Sequence, residues 1–376
     1  MDNYLEPDSI VLRYAAQLEG IERPWVERAS IAEGVNLIYG KEYKNVHLGL
    51  LDLSSYAATG SFKSVVACVT MAACTGRGIQ RFVTQSSGNT ANALARYAAA
   101  ANVKVLILYP ASSRYKIEPD LSNSPYVQFV EFEGTEDQLK ALIQNYSNTT
   151  GIPWLPTEDM QVESNKLRAY FLAESETKNF PHFNWHVQSL SSGWGIFGFY
   201  QGVEELESKG HFLRPRFFGV QQEAICPFYR YVNSDNQSET VEKVIEPTLF
   251  RSNPTPKMLA KMKQIVASSD GKIKKLMNAS YARYEPLAVQ TISEFGIRLG
   301  SVHLENETVF KEKAGIIAVA AVLEDIDLGL ISKGDRVLIC LTAGAGPDRR
   351  NVYAPSKSVN GTSGLESLID MGNEFF

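Results

Sequence analysis

The sequence predicts an α/β fold with two open-sheet domains whose strands are mainly parallel, and three observations predict it. Short apolar runs such as residues 103–109 alternate with helical patterns such as residues 91–101. Glycine-containing turns follow several of these runs, as at residues 193–198. The length of 376 residues and the 44% hydrophobic composition provide enough apolar side chains for two domains. Because parallel strands need a long crossover between them, the alternation predicts βαβ units.

The individual elements can be assigned along the chain. Residues 65–71 are predicted to be helical, with Ser61 as the N-cap. Thr135 and Gln138 predict a capping box at the start of a later helix. Apolar and β-branched composition predicts strands at residues 81–84, 103–109, 127–132, 183–190, 217–222 and 336–341.

We expect two unequal domains followed by a C-terminal segment. The large domain comprises residues 1–84 and 181–346, and the small, mobile domain comprises residues 85–180. The C-terminal segment, residues 347–376, is rich in polar residues, glycine and serine. This composition predicts a loosely held tail.

Composition and charge argue against several classes of protein. The net charge of −5 and the isoelectric point near 5.7 argue against nucleic-acid binding, which usually requires a basic face. The longest apolar run, residues 315–323, is too short to cross a bilayer. Residues 1–6 have neither the positive start nor the apolar stretch of a secretory signal. We therefore expect a cytoplasmic protein that binds neither nucleic acid nor membrane.

The cysteines and histidines form no metal-binding pattern. No pair of the four cysteines has the spacing of a metal site, and each lies among apolar or small residues. We expect free, mostly buried thiols at Cys68, Cys74, Cys226 and Cys340. The five histidines form no ligand cluster, so no metal is predicted.

Four separated segments carry the chemical signals of the chain. They are residues 59–63, 86–90, 193–198 and 341–346. Each segment is a weak signal by itself. In this order and at this spacing they resemble the pyridoxal-phosphate (PLP) enzymes of the tryptophan-synthase type (fold type II), and within that group threonine synthase and cysteate synthase. The resemblance spans roughly residues 39–346 and implies a PLP cleft between the two domains.

Lys63 is the residue that the resemblance identifies as catalytic. The resemblance implies that the Lys63 amine forms a bond with the PLP aldehyde and moves the α-proton of the substrate. A lysine at a helix start suits this role, because burial and the positive helix end favour the neutral amine. Threonine synthases usually continue Asp-Arg after this lysine, whereas this chain continues Ser64-Val65. The alternative is a solvated surface lysine.

The serine turn, residues 86–90, lies where a predicted strand gives way to a helix. Backbone N–H groups converge at a helix start and suit a carboxylate or a phosphate. The resemblance implies that this turn binds the substrate carboxylate through Ser86, Ser87, Gly88 and Thr90. It also implies that Asn89 faces the phenolic oxygen of PLP. The alternative is a capped helix start without a ligand.

The glycine turn, residues 191–195, opens the pattern Gly-X-Gly-X-X-Gly at residues 193–198. Alone, this pattern fits either a tight turn or a dinucleotide-binding site. A dinucleotide site also needs an acidic residue at the end of the next strand, and Glu223 could serve as that residue. An NAD-dependent oxidoreductase is therefore an alternative. The resemblance instead implies that the turn binds the PLP phosphate through Ser191, Ser192, Gly193, Trp194 and Gly195.

Thr342 follows the apolar strand 336–341. The resemblance implies that its hydroxyl bonds the pyridine nitrogen of PLP. A hydroxyl does not hold that nitrogen protonated, so the ring is a weaker electron sink. This favours elimination and replacement over transamination. The alternative is an ordinary strand end.

Substrate recognition is predicted at residues 165–168. Threonine synthases have Asn-Pro-X-Arg at this place, where it binds the substrate phosphate. The resemblance therefore implies that Asn165 and Arg168 bind an anionic substituent of the substrate. Glu163 would repel an anion, and a solvated helix face with i,i+3 pairs between Glu163, Lys166 and Arg168 is the alternative.

These signals predict a PLP-dependent enzyme that performs elimination or replacement at Cβ or Cγ of an activated, O-phosphorylated amino acid, as threonine synthase does. One alternative is β-replacement of the cysteate- or cysteine-synthase type. A second is a dehydratase or lyase on the same scaffold. A cofactor-binding regulatory protein without catalysis is another. The expected partner is a small amino-acid substrate, and a homodimer is expected.

Overall fold

The computed structural model describes residues 9–86, 88–155, 158–235, 243–249, 251, 253–305, 307–311, 313–345, 348, 353–361 and 364–376. The helices are α1 (Ile10–Arg13), α2 (Arg23–Ala29), α3 (Lys63–Gly76), α4 (Asn89–Ala101), α5 (Glu136–Thr150), α6 (Glu158–Thr177), α7 (Trp194–Glu207), α8 (Pro227–Asn233), α9 (Pro256–Ser268), α10 (Asn278–Glu294), α11 (Ala314–Asp327) and α12 (Leu365–Phe375). The strands are β1 (Asn36–Tyr43), β2 (Val46–Asp52), β3 (Arg81–Gln85), β4 (Lys104–Pro110), β5 (Val127–Glu133), β6 (Trp185–Ser189), β7 (Arg216–Gln222), β8 (Lys272–Leu276), β9 (Ser301–His303), β10 (Thr308–Phe310), β11 (Arg336–Leu341) and β12 (Ser358–Asn360).

The larger sheet has six strands in the order β1-β2-β11-β6-β7-β8. β1 and β2 pair in antiparallel fashion, whereas the other neighbours are parallel. In the centre, Leu338 of β11 lies opposite Gly49 of β2 on one side and His186 of β6 on the other. The α/β fold with mainly parallel strands is confirmed.

The smaller of the two mainly parallel sheets has four strands in the order β12-β5-β4-β3, all parallel, and β9 and β10 form a separate antiparallel pair. Its edge strand β12 comes from the C-terminal segment and places Val359 opposite Phe132 of β5. α12 packs closely on α5. At Gly372 there is no room for a side chain, since a Cβ there would lie 2.1 Å from the Tyr146 hydroxyl oxygen. The expectation of a loose tail is therefore wrong for residues 353–361 and 364–376, since apolar side chains such as Leu368 are buried there.

Side chains alternate between the two faces of the larger sheet, as strand geometry requires. Leu338 and Cys340 of β11 join the core that includes α3, α6 and α7. Ile339 and Leu341 face the opposite core, formed with α10 and α11. The first of these cores continues through α4 to one face of the smaller sheet. The two sheets are therefore joined by continuous apolar packing.

The start of α3 differs from its sequence prediction. The capping box of Thr135 and Gln138 is present, and all six predicted strands are found. However, α3 begins at Lys63 without a side-chain cap, so the prediction for Ser61 is wrong. The reason is that Ser61 pairs with Ala343, and the Phe62 N–H donates to the Thr342 carbonyl oxygen at 2.9 Å.

Two findings concern the described residues as a whole. All four cysteines are buried and free, as predicted. None of the helices described is long and apolar enough to pass through a membrane.

Candidate active site

A cavity of about 450 Å³ lies where three strands of the two sheets end. β3 leads into the serine turn, β6 into the glycine turn, and β11 into Thr342. The carboxyl ends of parallel strands are the usual place for a ligand in open α/β sheets. The predicted site residues that line this cavity are Lys63, Ser86, Asn89, Thr90, Ser191, Ser192, Gly193, Trp194, Gly195 and Thr342.

Lys63 is the first residue of α3 and extends into the cavity. Its Nζ atom donates a 2.7 Å hydrogen bond to Oε1 of Gln161 and lies 4.3 Å from the centre of the Phe62 ring. Burial of the amine, together with the positive charge of Arg168, lowers the pKa of Lys63 to about 7. The amine is therefore available in its neutral, nucleophilic form near neutral pH.

The serine turn is held in a conformation that requires glycine. Gly88 has a φ of 141°, and a Cβ there would lie 2.8 Å from Cβ of Lys116. The Ser86 hydroxyl oxygen accepts a 3.0 Å hydrogen bond from the Ala91 N–H at the start of α4. The first turn of a helix has N–H groups without intrahelical partners, which suits an anionic group. Ser87 lies outside the described residues.

The glycine turn forms the start of α7. Gly193 has a φ of 83°, and a Cβ there would lie 3.1 Å from Met262 and from Phe197. The Ser191 hydroxyl donates to the Thr248 carbonyl oxygen at 3.1 Å, which ties the turn to the neighbouring loop. A helix start reached through a left-handed glycine leaves room for a phosphate against backbone N–H groups. These residues therefore fit the PLP phosphate that the resemblance implied.

The third glycine of the pattern has a packing role. A Cβ at Gly198 would lie 2.3 Å from the carbonyl oxygen of Val162 on α6. A Cβ at Gly202 would lie 2.5 Å from the carbonyl oxygen of Lys166. These glycines let α6 and α7 approach closely, and this contact brings the start of α6 to the cavity.

Asn165 and Arg168 lie on α6 but are not among the described residues that line the cavity. The Asn165 amide donates to the Gln161 carbonyl oxygen at 2.6 Å, and the fully buried Arg168 donates to Oε1 of Gln188 at 2.7 Å. Glu163 and Lys166 form an i,i+3 ion pair at 2.6 Å, but both residues are buried, so the alternative of a solvated helix face is wrong. Direct contact of Asn165 and Arg168 with a substrate stays a prediction.

Sequence reasoning missed several residues that line the cavity. Gln161 lies one helical turn before Asn165, so its position could have been inferred from that motif. Lys140 on α5 and Arg251 have no sequence signal, and both lie close to the Glu136 carboxylate, at 2.7 Å and 3.6 Å. Trp154, Glu158 and Gln188 are among the other lining residues that were missed.

Comparison with known proteins finds similarity to threonine synthases and to a threonine deaminase. A threonine synthase from Methanosarcina acetivorans is 25% identical over 339 residues, which cover 88% of this chain and 78% of that enzyme. The solved threonine synthase from Escherichia coli has a TM-score of 0.65 at 16% identity, covering 98% of this chain and 89% of that chain. A threonine deaminase from Solanum lycopersicum has a TM-score of 0.59 at 12% identity, covering 99% of this chain and 84% of that chain. These two structures share the fold of this protein.

A family model described as "Pyridoxal-phosphate dependent enzyme" matches residues 45–343. This range includes Lys63, the serine and glycine turns and Thr342. The match removes the dinucleotide-dependent oxidoreductase as an alternative. Because it covers most of the chain, this protein belongs to the pyridoxal-phosphate dependent enzymes, with PLP as its cofactor.

Proposed function

We propose that this enzyme catalyses elimination or replacement at Cβ or Cγ of an amino acid that carries a good leaving group. The observation that carries the proposal is the single cavity that Lys63, the serine turn, the glycine turn and Thr342 line together. The glycine turn would hold the PLP phosphate, Thr342 and Asn89 would bind heteroatoms of its ring, and the serine turn would hold the substrate carboxylate.

Bound PLP delocalises the electron pair that remains on Cα when its proton is removed. The neutral amine of Lys63 accepts this proton, and the hydrogen bond to Gln161 fixes the position of Nζ. A substituent at Cβ then departs with its bonding electrons, whereas one at Cγ departs only after a proton has also left Cβ. In elimination the unsaturated product is released, whereas in replacement water or another nucleophile adds to it. The small domain closes over the substrate and excludes water.

Two cations support an anionic leaving group, such as phosphate. Lys140 and Arg251 line the cavity and share one carboxylate, that of Glu136. A substrate phosphate can therefore be held by charge-assisted hydrogen bonds from both side chains. The resemblance of residues 165–168 to the segment with which threonine synthases bind the substrate phosphate also supports an O-phosphorylated substrate.

The substrate charge can be tested with matched substrates. We expect Lys140→Gln and Arg251→Gln each to lower kcat/KM for an O-phosphorylated amino acid by about tenfold to a hundredfold. For the O-acetylated analogue the value should change little, and the exposed control Lys209→Gln should affect neither. Equal losses on both substrates contradict an anion site.

The class of chemistry is tested by reduction with borohydride and peptide mapping. We expect a pyridoxyl group on Lys63 in the native enzyme and none in Lys63→Ala. Full cofactor loading without label on Lys63 contradicts the proposal. Absence of turnover with every amino acid tested, despite the label, would instead indicate a regulatory protein.

Elimination without replacement is the second candidate, because the fold also occurs in threonine deaminase. Product analysis with and without added nucleophiles separates a deaminase-like or dehydratase-like enzyme from a synthase, and an added thiol or sulfite tests β-replacement of the cysteine- or cysteate-synthase type.

We also propose a homodimer in the cytoplasm, which sedimentation and cell fractionation test.

A further inference from the structure

Arg168 carries a buried charge that the described part of the protein does not neutralise. Its side chain is 1% exposed, and no carboxylate described lies within 4 Å of it. Nη1 donates to Oε1 of Gln188, Nη2 donates to the Gly195 carbonyl oxygen, and Nε has no partner. The guanidinium also lies 5.9 Å from the Phe62 ring centre and 5.7 Å from that of Phe199.

The ionisable neighbours of Arg168 supply no negative charge. Burial raises the pKa of the Cys340 thiol to about 11. Burial, with the positive charge of Arg168, lowers the pKa of His186, so this ring is neutral. Taking a charge out of water without a counter-ion is strongly unfavourable. An anion near Arg168 would therefore stabilise the folded protein.

The position of Arg168 identifies that anion. Gln188 and Gly195, which accept its hydrogen bonds, both line the cavity, and Gly195 belongs to the glycine turn. The guanidinium thus lies one layer of residues beneath the turn. By binding the Gly195 carbonyl oxygen it also fixes the orientation of this peptide at the start of α7.

We propose that Arg168 is the buried counter-charge of the phosphate group bound by the glycine turn. It acts as a positioning residue: it touches neither substrate nor cofactor, and it acts through Gly195 and through its electric field. The ligand class is a phosphate monoester or inorganic phosphate. This inference rests on the cofactor position proposed above. It also assigns Arg168 a role beneath the cavity, separate from the direct substrate contact predicted from the sequence.

The test uses the full-length protein stripped of PLP. Thermal unfolding is followed with inorganic phosphate, with PLP and with pyridoxal, which lacks the phosphate. For Arg168→Met we expect the stabilisation by phosphate to disappear and the affinity for PLP to fall about tenfold to a hundredfold. The affinity for pyridoxal should stay the same. Without any anion the variant should unfold at or above the wild-type temperature, because an uncompensated charge has been removed.

A purely structural role gives a different result. It predicts that Arg168→Met unfolds earlier, keeps its phosphate response, or loses affinity for PLP and pyridoxal equally, and any of these overturns the inference. The control Lys166→Met removes a cation from the same helix that has its own carboxylate, Glu163. This control should be less stable but keep the phosphate response.

A second variant covers the case in which Arg168→Met does not fold. Arg168→Lys keeps the charge and should keep a clear phosphate response, and its loss overturns the inference. Borohydride labelling of Lys63 at saturating PLP separates the two proposals. If Lys63 is labelled in each folded variant, failure of the Arg168 inference leaves the proposed function intact.

Discussion

The Nζ atom of Lys63 donates a 2.7 Å hydrogen bond to the amide oxygen of Gln161, which lies 98 positions later in the sequence. An amide oxygen orients the amine without adding the negative charge that would hold it protonated. The two residues come together because α6 contacts α3, and α6 is held in place by its close packing on α7 at Gly198 and Gly202. The contact therefore links the packing of two helices to the protonation state of the catalytic amine.

Covalent capture of PLP by the apoprotein should depend on pH near neutrality. The lowered pKa of Lys63, about 7, means that the reactive neutral amine forms as the pH rises from 6 to 8. An ordinary lysine, with a pKa of 10.5, would require a much more alkaline solution. The rate of capture, followed by absorbance in stopped flow, should rise about tenfold over this range and then level off. A steady increase up to pH 10 contradicts the lowered pKa.

The same pKa predicts how the stability of the apoprotein changes with pH. Between pH 7 and 10.5 the unfolded chain binds a proton at Lys63 that the folded chain does not, so Lys63 makes the unfolding free energy increase with pH in this window. Below pH 7 both states bind the proton and this contribution no longer changes. Lys63→Met should remove the dependence. Urea unfolding of both proteins at pH 7 and pH 9 measures this difference. If the unfolding free energy changes equally with pH in both proteins, the prediction is contradicted.

Substitution of Gln161 should alter the amine in a predictable direction. Gln161→Glu places a carboxylate beside Nζ and should raise the pKa of Lys63, so that capture of PLP moves about one to three pH units upward. Gln161→Leu removes the hydrogen bond and should lower kcat/KM about tenfold. Gln144→Glu on the exposed face of α5 is the matched control and should leave both quantities unchanged. A control that shifts capture equally would indicate a general charge effect.

Gly88→Ala should weaken substrate binding more than cofactor binding. The new Cβ would lie 2.8 Å from Cβ of Lys116 and would need a φ of 141°, so the serine turn must change shape. We expect KM to rise at least tenfold while borohydride labelling of Lys63 persists. Gly78→Ala is the control, because Gly78 also has a positive φ, 70°, but its Cβ would enter open space. An unchanged KM in Gly88→Ala contradicts the role of the turn.

A buried ion pair beside the serine turn joins the segment that follows β4 to the segment that precedes α9. Nζ of Lys116 lies 3.0 Å from Oε1 of Glu246, and both side chains are buried. Burial alone would raise the pKa of Glu246, but the Lys116 ammonium and hydrogen bonds from Thr248 and Lys313 hold it below its usual value. The contribution of the Glu246 carboxylate to the unfolding free energy is therefore complete above the ordinary carboxyl pKa. It is lost as the pH falls from that value through the lowered pKa.

We expect Lys116→Met to lower the unfolding free energy by about 3–5 kcal/mol, because it leaves a buried carboxylate without its counter-ion. Glu246→Gln in addition should restore part of this loss, which a double-mutant cycle in urea measures. Exposed Arg23 and Glu27 provide the control pair, whose separation should change stability by less than about 1 kcal/mol. Additive effects of the Lys116 and Glu246 substitutions contradict a direct pair.

The parts of the site that local backbone chemistry specifies could be predicted from the sequence. Gly88 and Gly193 each precede a helix, and their positive φ angles follow from the absence of a side chain. The alternation of apolar runs and helical patterns was enough for the fold class. Ser61 was misjudged because long-range pairing with Ala343 replaced a local cap.

The sequence by itself therefore determined the family resemblance, the lysine and the turns that meet at the cavity, since each is encoded within a few consecutive residues. Only the tertiary structure decided the neighbours of those residues. It placed Gln161 on the Lys63 amine, Lys140 and Arg251 at one carboxylate, and Arg168 beneath the cavity. The physical reason is that side-chain contacts between distant segments depend on how closely helices and sheets pack, which no local pattern specifies.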